Sequence, residues 1–335
     1  MAMPILPRIA AALALLAPWA VSAQPAGADP AAQVAPETKT VPASTLRRDD
    51  LRVGGVAYRL ALGGRGQCSD SFPLTGLLFH HLAEYEPKDR PTMIARHGLD
   101  RGLGILSVIA DSPAAGAGLV AGDVLLSANG RAFPAGAAIA RERKPKKWRR
   151  LADAAELQLE AALRGGLAKL VVLRQGKEVP VTLGAESACL GRVRLARSTQ
   201  TNAFANGHQV VMTTAMLAFL QSDDELAVVL GHELAHNILR HPSFRDDKGL
   251  PDEGLLHALG VKPSRVWRSE EEADRLGLRL MAAAGYDLDA ALPFWRRYLS
   301  KYDWFPQIFR SHPSLGARER IAADEIAQIR AEQAR

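Results

Sequence analysis

Apolar residues along the chain change their spacing several times, and each spacing predicts an element. Val53 to Leu62 alternate loosely, as in Val56-Ala57-Tyr58-Arg59-Leu60, which predicts a strand. Leu74 to Tyr85 reads as a short helix and Leu106 to Ala110 as an apolar strand. Leu151, Ala155, Leu159 and Leu163 fall roughly on one face of a helix that Gly165-Gly166 stops. Lys169 to Arg174 and Glu178 to Leu183 predict a hairpin around Gln175-Gly176. Thr201 to Ala205 and His208 to Met212 predict another, because Asn206-Gly207 suits a two-residue turn. Beyond Thr213 the spacing is helical. One run reaches Leu220, and a second starts at the capping box Ser222-Asp223-Asp224-Glu225 and ends near His241-Pro242. A third opens at Ser269 and stops at Ala284-Gly285, a fourth covers Leu288 to Leu299, and residues 314–335 form an amphipathic, charged helix. The fold class expected from this order is α+β.

Composition changes little of that picture, but it sets the compartment. The 335 residues are 47% hydrophobic and 23% charged, enough for two modest domains. The net charge of +6 is mild, and the basic run Arg141 to Arg150 lacks interleaved stacking aromatics, so it reads as a solvated loop and no nucleic-acid partner is expected. Arg8, the apolar stretch Ile9 to Ala17 and the small residues Val21-Ser22-Ala23 have the form of a signal peptide over 1–23. No other segment is apolar enough to span a bilayer, so a periplasmic or secreted protein is expected. Residues 24–49 have the composition of a flexible linker. In an oxidising compartment the two cysteines, Cys68 and Cys189, are expected to form a disulfide.

Between the cysteines lies an ordered series: Gly102-Leu103-Gly104-Ile105, Ser112-Pro113-Ala114-Ala115, Ala117-Gly118-Leu119, Gly122-Asp123-Val124-Leu125-Leu126 and Asn129-Gly130. This order resembles a PDZ domain of the bacterial protease type. The resemblance implies a β-rich module over 96–186 whose loop Gly102, Leu103, Gly104, Ile105 binds a peptide carboxylate, with the peptide added as a strand. A brace for the neighbouring domain, its groove unused, is the plainer alternative. A Cys68–Cys189 bridge would clamp the module as an insertion, with residues 50–95 packing on the C-terminal half.

The chemistry concentrates in Gly231-His232-Glu233-Leu234-Ala235-His236. Histidines four apart on a helix share a face and can hold one metal ion between them. Glu233 beside them can take a proton from water at that metal. A third ligand is needed. His241 lies five residues past His236, off that face, and reads as a helix-end residue. Leu239 and Pro242 stand where the metzincin pattern requires Gly and His. Downstream, Glu270 and Asp274 are four apart on one face, so one can bind metal while the other orients a ligand histidine. An acidic first turn that complements the helix dipole is the alternative there.

Taken together, Asn202-Ala203-Phe204-Ala205-Asn206-Gly207, Glu225-Leu226-Ala227, the His-Glu-Leu-Ala-His helix, Glu270 with Ala273-Asp274, and His312-Pro313-Ser314 with Arg318 resemble the zinc metallopeptidase family that includes HtpX and the CAAX prenyl proteases. The likeness covers roughly residues 190–320 and is nearest to exported members without spans. It implies a mainly helical gluzincin peptidase domain over 187–335 with a small sheet and one zinc ion. By that likeness His232, His236 and Glu270 are the ligands, Glu233 is the general base and Asp274 supports a ligand. Asn202, Ala203, Phe204 and Ala205 form a substrate-holding edge strand, and His312 and Arg318 act at the site, where the likeness favours stabilising the oxyanion. The alternatives are that His312 caps the zinc in a resting state, or that the two are a loop, a helix cap and a surface ion pair. The clustered aromatics Phe294, Trp295, Tyr298, Trp304, Phe305 and Phe309 read as core around the fourth helix, with a membrane-facing patch the minority reading. The segment 243–266, which contains His257, has the composition of a loop or lid over the cleft. The expected function is an exported endopeptidase acting on protein or peptide substrates in envelope quality control. The alternative is a peptide-binding, chaperone-like adaptor with little or no proteolysis.

Overall fold

The computed structural model describes residues 43–134, 145–241, 263–300 and 314–335. The expected signal peptide, the linker to residue 42, the start of the basic run, segment 243–262 with His257, and Trp304, Phe305, Phe309 and His312 lie outside these residues.

The first element corrects the sequence reading. Residues Ala43–Gly63 form helix α1, not a linker end followed by a strand. The reason is in the spacing: Val53, Val56, Ala57 and Leu60 recur at three and four residues, and all are buried. That stripe packs into the main core beside Leu226, Leu230 and Leu280. At about 1.5–3 kcal/mol for each fully buried large aliphatic side chain, burial outweighs the weak helix propensity of the valines.

Strands β1 (Phe72–Leu74) and β2 (Leu77–His80) replace the short helix expected over 74–85. Pro73 and Gly76, the latter at φ +79°, interrupt any helix there, and β2 finds its hydrogen bonds on a distant strand. His80 and His81 are buried, and His81 caps the turn Leu82–Glu84 by accepting from Ala83 N at 3.2 Å. Then follow α2 (Arg90–His97), β3 (Leu103–Val108), the single turn α3 (Pro113–Gly116), β4 (Val124–Ala128), β5 (Arg131–Ala132), α4 (Pro145–Leu163), β6 (Ala168–Arg174) and β7 (Lys177–Leu183). Their six-stranded sheet runs β2-β3-β4-β6-β7, with β5 paired to β4. Leu103, Ile105, Leu125, Leu170 and Val172 pack against Ala155, Leu159 and Leu163 of α4 in a second core.

This sheet changes one expectation. It takes β2 from the segment assigned to the peptidase side, so the module reaches back past residue 96. Within the stretch Gly102-Leu103-Gly104-Ile105, Gly104 and Ile105 pair with His80 and Phe79 of β2, and Leu103 and Gly104 pair with Leu125 and Val124 of β4. The outer strands of the sheet are β2 and β7.

Strand β8 (Glu186–Ala188) pairs antiparallel with β1, so the chain enters and leaves the module through a two-stranded ribbon. The Cys68–Cys189 disulfide closes the base of that ribbon, with Cα atoms 5.7 Å apart. Strand β9 (Val193–Ala196) runs parallel to β11 (Val210–Thr213), which pairs antiparallel with β10 (Ala203–Ala205). The β10–β11 connection spans residues 206–209, longer than the expected two-residue turn, because Asn206 Oδ1 accepts from both His208 N and Gln209 N at 3.0 Å. Where β9 meets the module, Arg192 pairs with Glu160 of α4 at 3.0 Å. Arg194 pairs with Glu156 of α4 and donates to Phe79 O on β2 at 2.5 Å. These contacts line an open cleft between the outer edge of β2 and α4.

The remaining helices are α5 (Thr214–Phe219), α6 (Asp223–Ile238), α7 (Pro263–Ala283), α8 (Ala291–Ser300) and α9 (Leu315–Gln333). Ser222 caps α6 by accepting from Glu225 N at 3.1 Å. The other half of the expected box differs, since Glu225 Oε2 accepts from Gln221 N and binds Arg297. Helix α7 starts at Pro263, two turns before the expected Ser269, with proline at its first position. Among the described residues no helix is long and apolar enough to cross a membrane.

Candidate metal centre

Two glycines make the site possible. Helices α6 and α7 cross with Gly231 against Gly277, where a Cβ on Gly277 would lie 2.9 Å from His232 N. Backbones at that distance bring the adjoining faces of both helices together. His232 and His236 therefore meet Glu270 two turns up α7 from the crossing. The Nε2 atoms of His232 and His236 are 3.1 Å apart, and each lies 3.4 Å from a Glu270 oxygen. Ligand atoms around a tetrahedral zinc at about 2.0–2.1 Å stand roughly 3.3 Å from one another, so the three donors fit one ion. They are the group of metal-competent side chains found among the described residues. A buried and a partly buried imidazole nitrogen beside a carboxylate also match in chemistry, since each offers a lone pair.

Around the three donors the contacts are charged and buried. His232 Nδ1 lies 2.9 Å from Asp274 Oδ1, which leaves Nε2 for the metal. Burial works against protonation of His232, but Asp274 and Glu270 outweigh it and raise the metal-free imidazole to about 9. Arg318 is 2% exposed and donates to Asp274 Oδ1 at 2.9 Å and to Glu270 Oε2 at 3.1 Å. Its guanidinium stacks 3.8 Å over the Trp295 ring. Arg318 therefore directs its two terminal nitrogens at the ligand-side carboxylates, where the sequence reading had it stabilise an oxyanion. It offsets two buried acids and fixes their geometry.

The next face of α6 organises the sheet. Glu233 Oε2 accepts from Ala205 N at 2.8 Å, and one turn later Asn237 Oδ1 accepts from Gly207 N at 2.7 Å. The hairpin is thus hung on the helix that carries the histidines, and β10 is the outer strand of its sheet. Asn202 is tied to Thr213 through its N–H and its carbonyl, at 3.1 and 3.0 Å. A cleft of about 430 Å³ lined by Ala203, Met216, Val229, Phe294, Trp295 and Tyr298 opens beside His232 and Glu233. The aromatics Phe294, Trp295 and Tyr298 pack on one another and on Phe219, as expected of a core.

Two residues escaped the sequence reading. Asn237 had a readable signal, since it lies one turn beyond Glu233 on the same face. His241 had one too, through the helix end described below. Its Nδ1 lies 3.0 Å from His236 Nδ1 and its Nε2 lies 3.0 Å from Glu272 Oε2, which joins the half-exposed Glu272 to the site.

A buried His-His-Glu set with an adjacent glutamate is the arrangement of a mononuclear metallopeptidase. Comparison with known proteins agrees. Residues 174–251 and 254–325 match the model of Peptidase family M48. Mitochondrial metalloendopeptidase OMA1 of Arabidopsis thaliana is 31% identical over 132 residues, 34% of this chain and 27% of that protein. The beta-barrel assembly-enhancing protease of Escherichia coli K12 is 25% identical over 167 residues, 41% of this chain and 34% of that protein. These relatives support a metalloendopeptidase. The chain spans about a third of the length of the curated relatives it matches. A solved HtrA3 PDZ domain aligns at 20% identity over 35% of this chain and 89% of that chain, with a TM-score of 0.25.

Proposed function

We propose that the chain is an exported zinc-dependent endopeptidase that cuts protein substrates, in the setting of envelope protein quality control. The observation that carries this reading is the convergence of His232 Nε2, His236 Nε2 and Glu270 at tetrahedral spacing with Glu233 beside them. Three protein ligands leave a fourth position, as in catalytic rather than structural zinc sites. When bound, zinc supplies Lewis acidity that makes water a nucleophile near neutral pH and polarises the scissile carbonyl. Glu233 accepts the proton of the attacking water and passes it to the leaving amine. The N–H of Ala205 holds Glu233 in place for both transfers. Strand β10, with Asn202 leading into Ala203, Phe204 and Ala205, holds the substrate backbone by strand addition. The apolar cleft lined by Met216, Phe294 and Trp295 receives a side chain next to the scissile bond. Asp274 and Arg318 orient the ligands. His312 acts at the site by motif likeness alone, and the same likeness supports kinship with exported, span-free relatives of HtpX.

The names of the relatives, an assembly-enhancing protease among them, support the envelope setting. We assign the PDZ-like module to substrate or partner peptides. A second reading, in which it braces the peptidase, is favoured by Arg194 bridging β2 and α4. The test is proteolysis of casein or an unfolded protein. Wild type should cut and stop on chelation, whereas Glu233→Gln should keep zinc and lose cleavage by orders of magnitude. Full activity in Glu233→Gln would remove the mechanism.

A further inference from the structure

Helix α6 ends in a manner that brings a third histidine to the metal site. Arg240 has φ +55°, a left-handed conformation usually taken by glycine at this position. The chain then closes with two backbone bonds, Arg240 N to Asn237 O at 3.2 Å and His241 N to His236 O at 2.9 Å. This is the Schellman pattern, in which the second residue past the cap folds back over the residue three from the helix end. In most proteins that pair makes an apolar contact. Here the pair is His241 and His236, and the contact is imidazole to imidazole at 3.0 Å between Nδ1 atoms.

The arrangement of hydrogens follows from the lone pairs. His236 directs Nε2 at His232 and Glu270, so as a metal ligand it keeps that nitrogen bare and carries its hydrogen on Nδ1. That N–H has His241 Nδ1 before it, which must accept. His241 then carries its own hydrogen on Nε2 and donates it to Glu272 Oε2 at 3.0 Å. One assignment satisfies every atom in the series. His241 is mostly buried, its side chain 10% exposed, whereas Glu272 is 50% exposed. Solvent therefore weakens the outer link and leaves the inner one as the stronger constraint. The two ligand histidines are thus treated differently: His232 meets a carboxylate directly, while His236 reaches one through a second imidazole.

We propose that His241 is a positioning residue for the metal ligand His236, with Glu272 holding His241 in the accepting tautomer. The proposal rests on the zinc-site reading above and adds a residue to it. Loss of such an outer partner lowers metal affinity by roughly 10–100-fold. Arg240 takes this left-handed conformation without being a glycine, at a cost in backbone strain.

The experiment measures zinc affinity by competition with a chromophoric chelator, and the visible spectrum of the cobalt-substituted protein, in four chains. His241→Asn keeps an acceptor where Nδ1 was; His241→Phe keeps the ring and loses the acceptor; Glu272→Ala removes the outer partner. Far-UV circular dichroism and urea midpoints confirm that each is folded. Asn should bind zinc within about threefold of wild type, and Glu272→Ala should lose a few-fold. Phe should fall about 10–100-fold with an altered cobalt spectrum. Equal affinity in Phe and wild type overturns the proposal, and so does an equal loss in Asn and Phe, which would mark a purely structural role. Failure of wild type itself to bind zinc would sink the underlying metallopeptidase reading instead.

Discussion

Replacing Gly277 by alanine separates the stability of the fold from the quality of its metal site. The added methyl would stand 2.9 Å from His232 N, 3.0 Å from Gly231 C and 3.2 Å from His232 Cα, all backbone. None of these atoms can rotate away, so α6 and α7 must part by about 0.5 Å to restore ordinary contact. Overpacking of this kind costs about 1–3 kcal/mol. Alanine recovers up to about 1 kcal/mol because it suits a helix interior better than glycine. The net loss of stability should therefore be about 2 kcal/mol or less. The metal site is less tolerant, since metal–ligand distances are held to about 0.2 Å and the separation exceeds that. Zinc affinity should fall at least about tenfold while the protein stays folded. Urea denaturation of metal-free protein and chelator competition read the two quantities independently. Gly55→Ala is the control: it lies in α1 with nothing within 4 Å, and should be slightly stabilising with unchanged zinc binding. Wild-type zinc affinity in Gly277→Ala would refute the view that the glycine contact sets ligand spacing.

Two further outcomes are expected. In metal-free protein His232 is raised to about 9, above its ordinary value, so its charged form stabilises the fold fully below about pH 6.5 and that contribution fades as pH rises through 9. The unfolding free energy of chelator-treated protein, from urea titrations, should drop across pH 6.5–9 by up to about 3 kcal/mol, and a flat profile would contradict the Asp274 and Glu270 contacts. For the disulfide, closing a loop over a separation of 121 residues stabilises by at most about 5 kcal/mol in the chain-entropy model. Reductant should lower the urea midpoint of wild type and leave Cys68→Ala/Cys189→Ala unmoved; coincident wild-type curves with and without reductant would argue that the bridge contributes nothing.

The metal helix was legible because two histidines and a glutamate at helical spacing constrain geometry by themselves, and because Glu270 and Asp274 share a face. The hairpin closed by Gln175-Gly176 was readable from local turn chemistry, and so was the existence of the one after Ala205, though its connection runs over residues 206–209. Where the reading failed, the deciding partner was far away in sequence. Val53 to Leu62 fits two periods, and burial against Leu226 and Leu280 selects the helical one. Leu77 to His80 becomes a strand because β3 pairs with it. Leu103 to Ile105 open a strand because β2 and β4 pair with it from segments far away in sequence. His241 is off the ligand face of any continued helix; the left-handed turn at Arg240 is what reverses that.

Arg194 ties the β-rich module to the peptidase half along a path that can be followed residue by residue. Its guanidinium bridges Phe79 O and Glu156, on an edge strand and on the helix that together bound the cleft. Arg194 itself lies on β9, which is hydrogen-bonded to β11, β11 to β10, and β10 to Glu233. The cleft and Glu233 are therefore the two ends of one continuous run of paired strands.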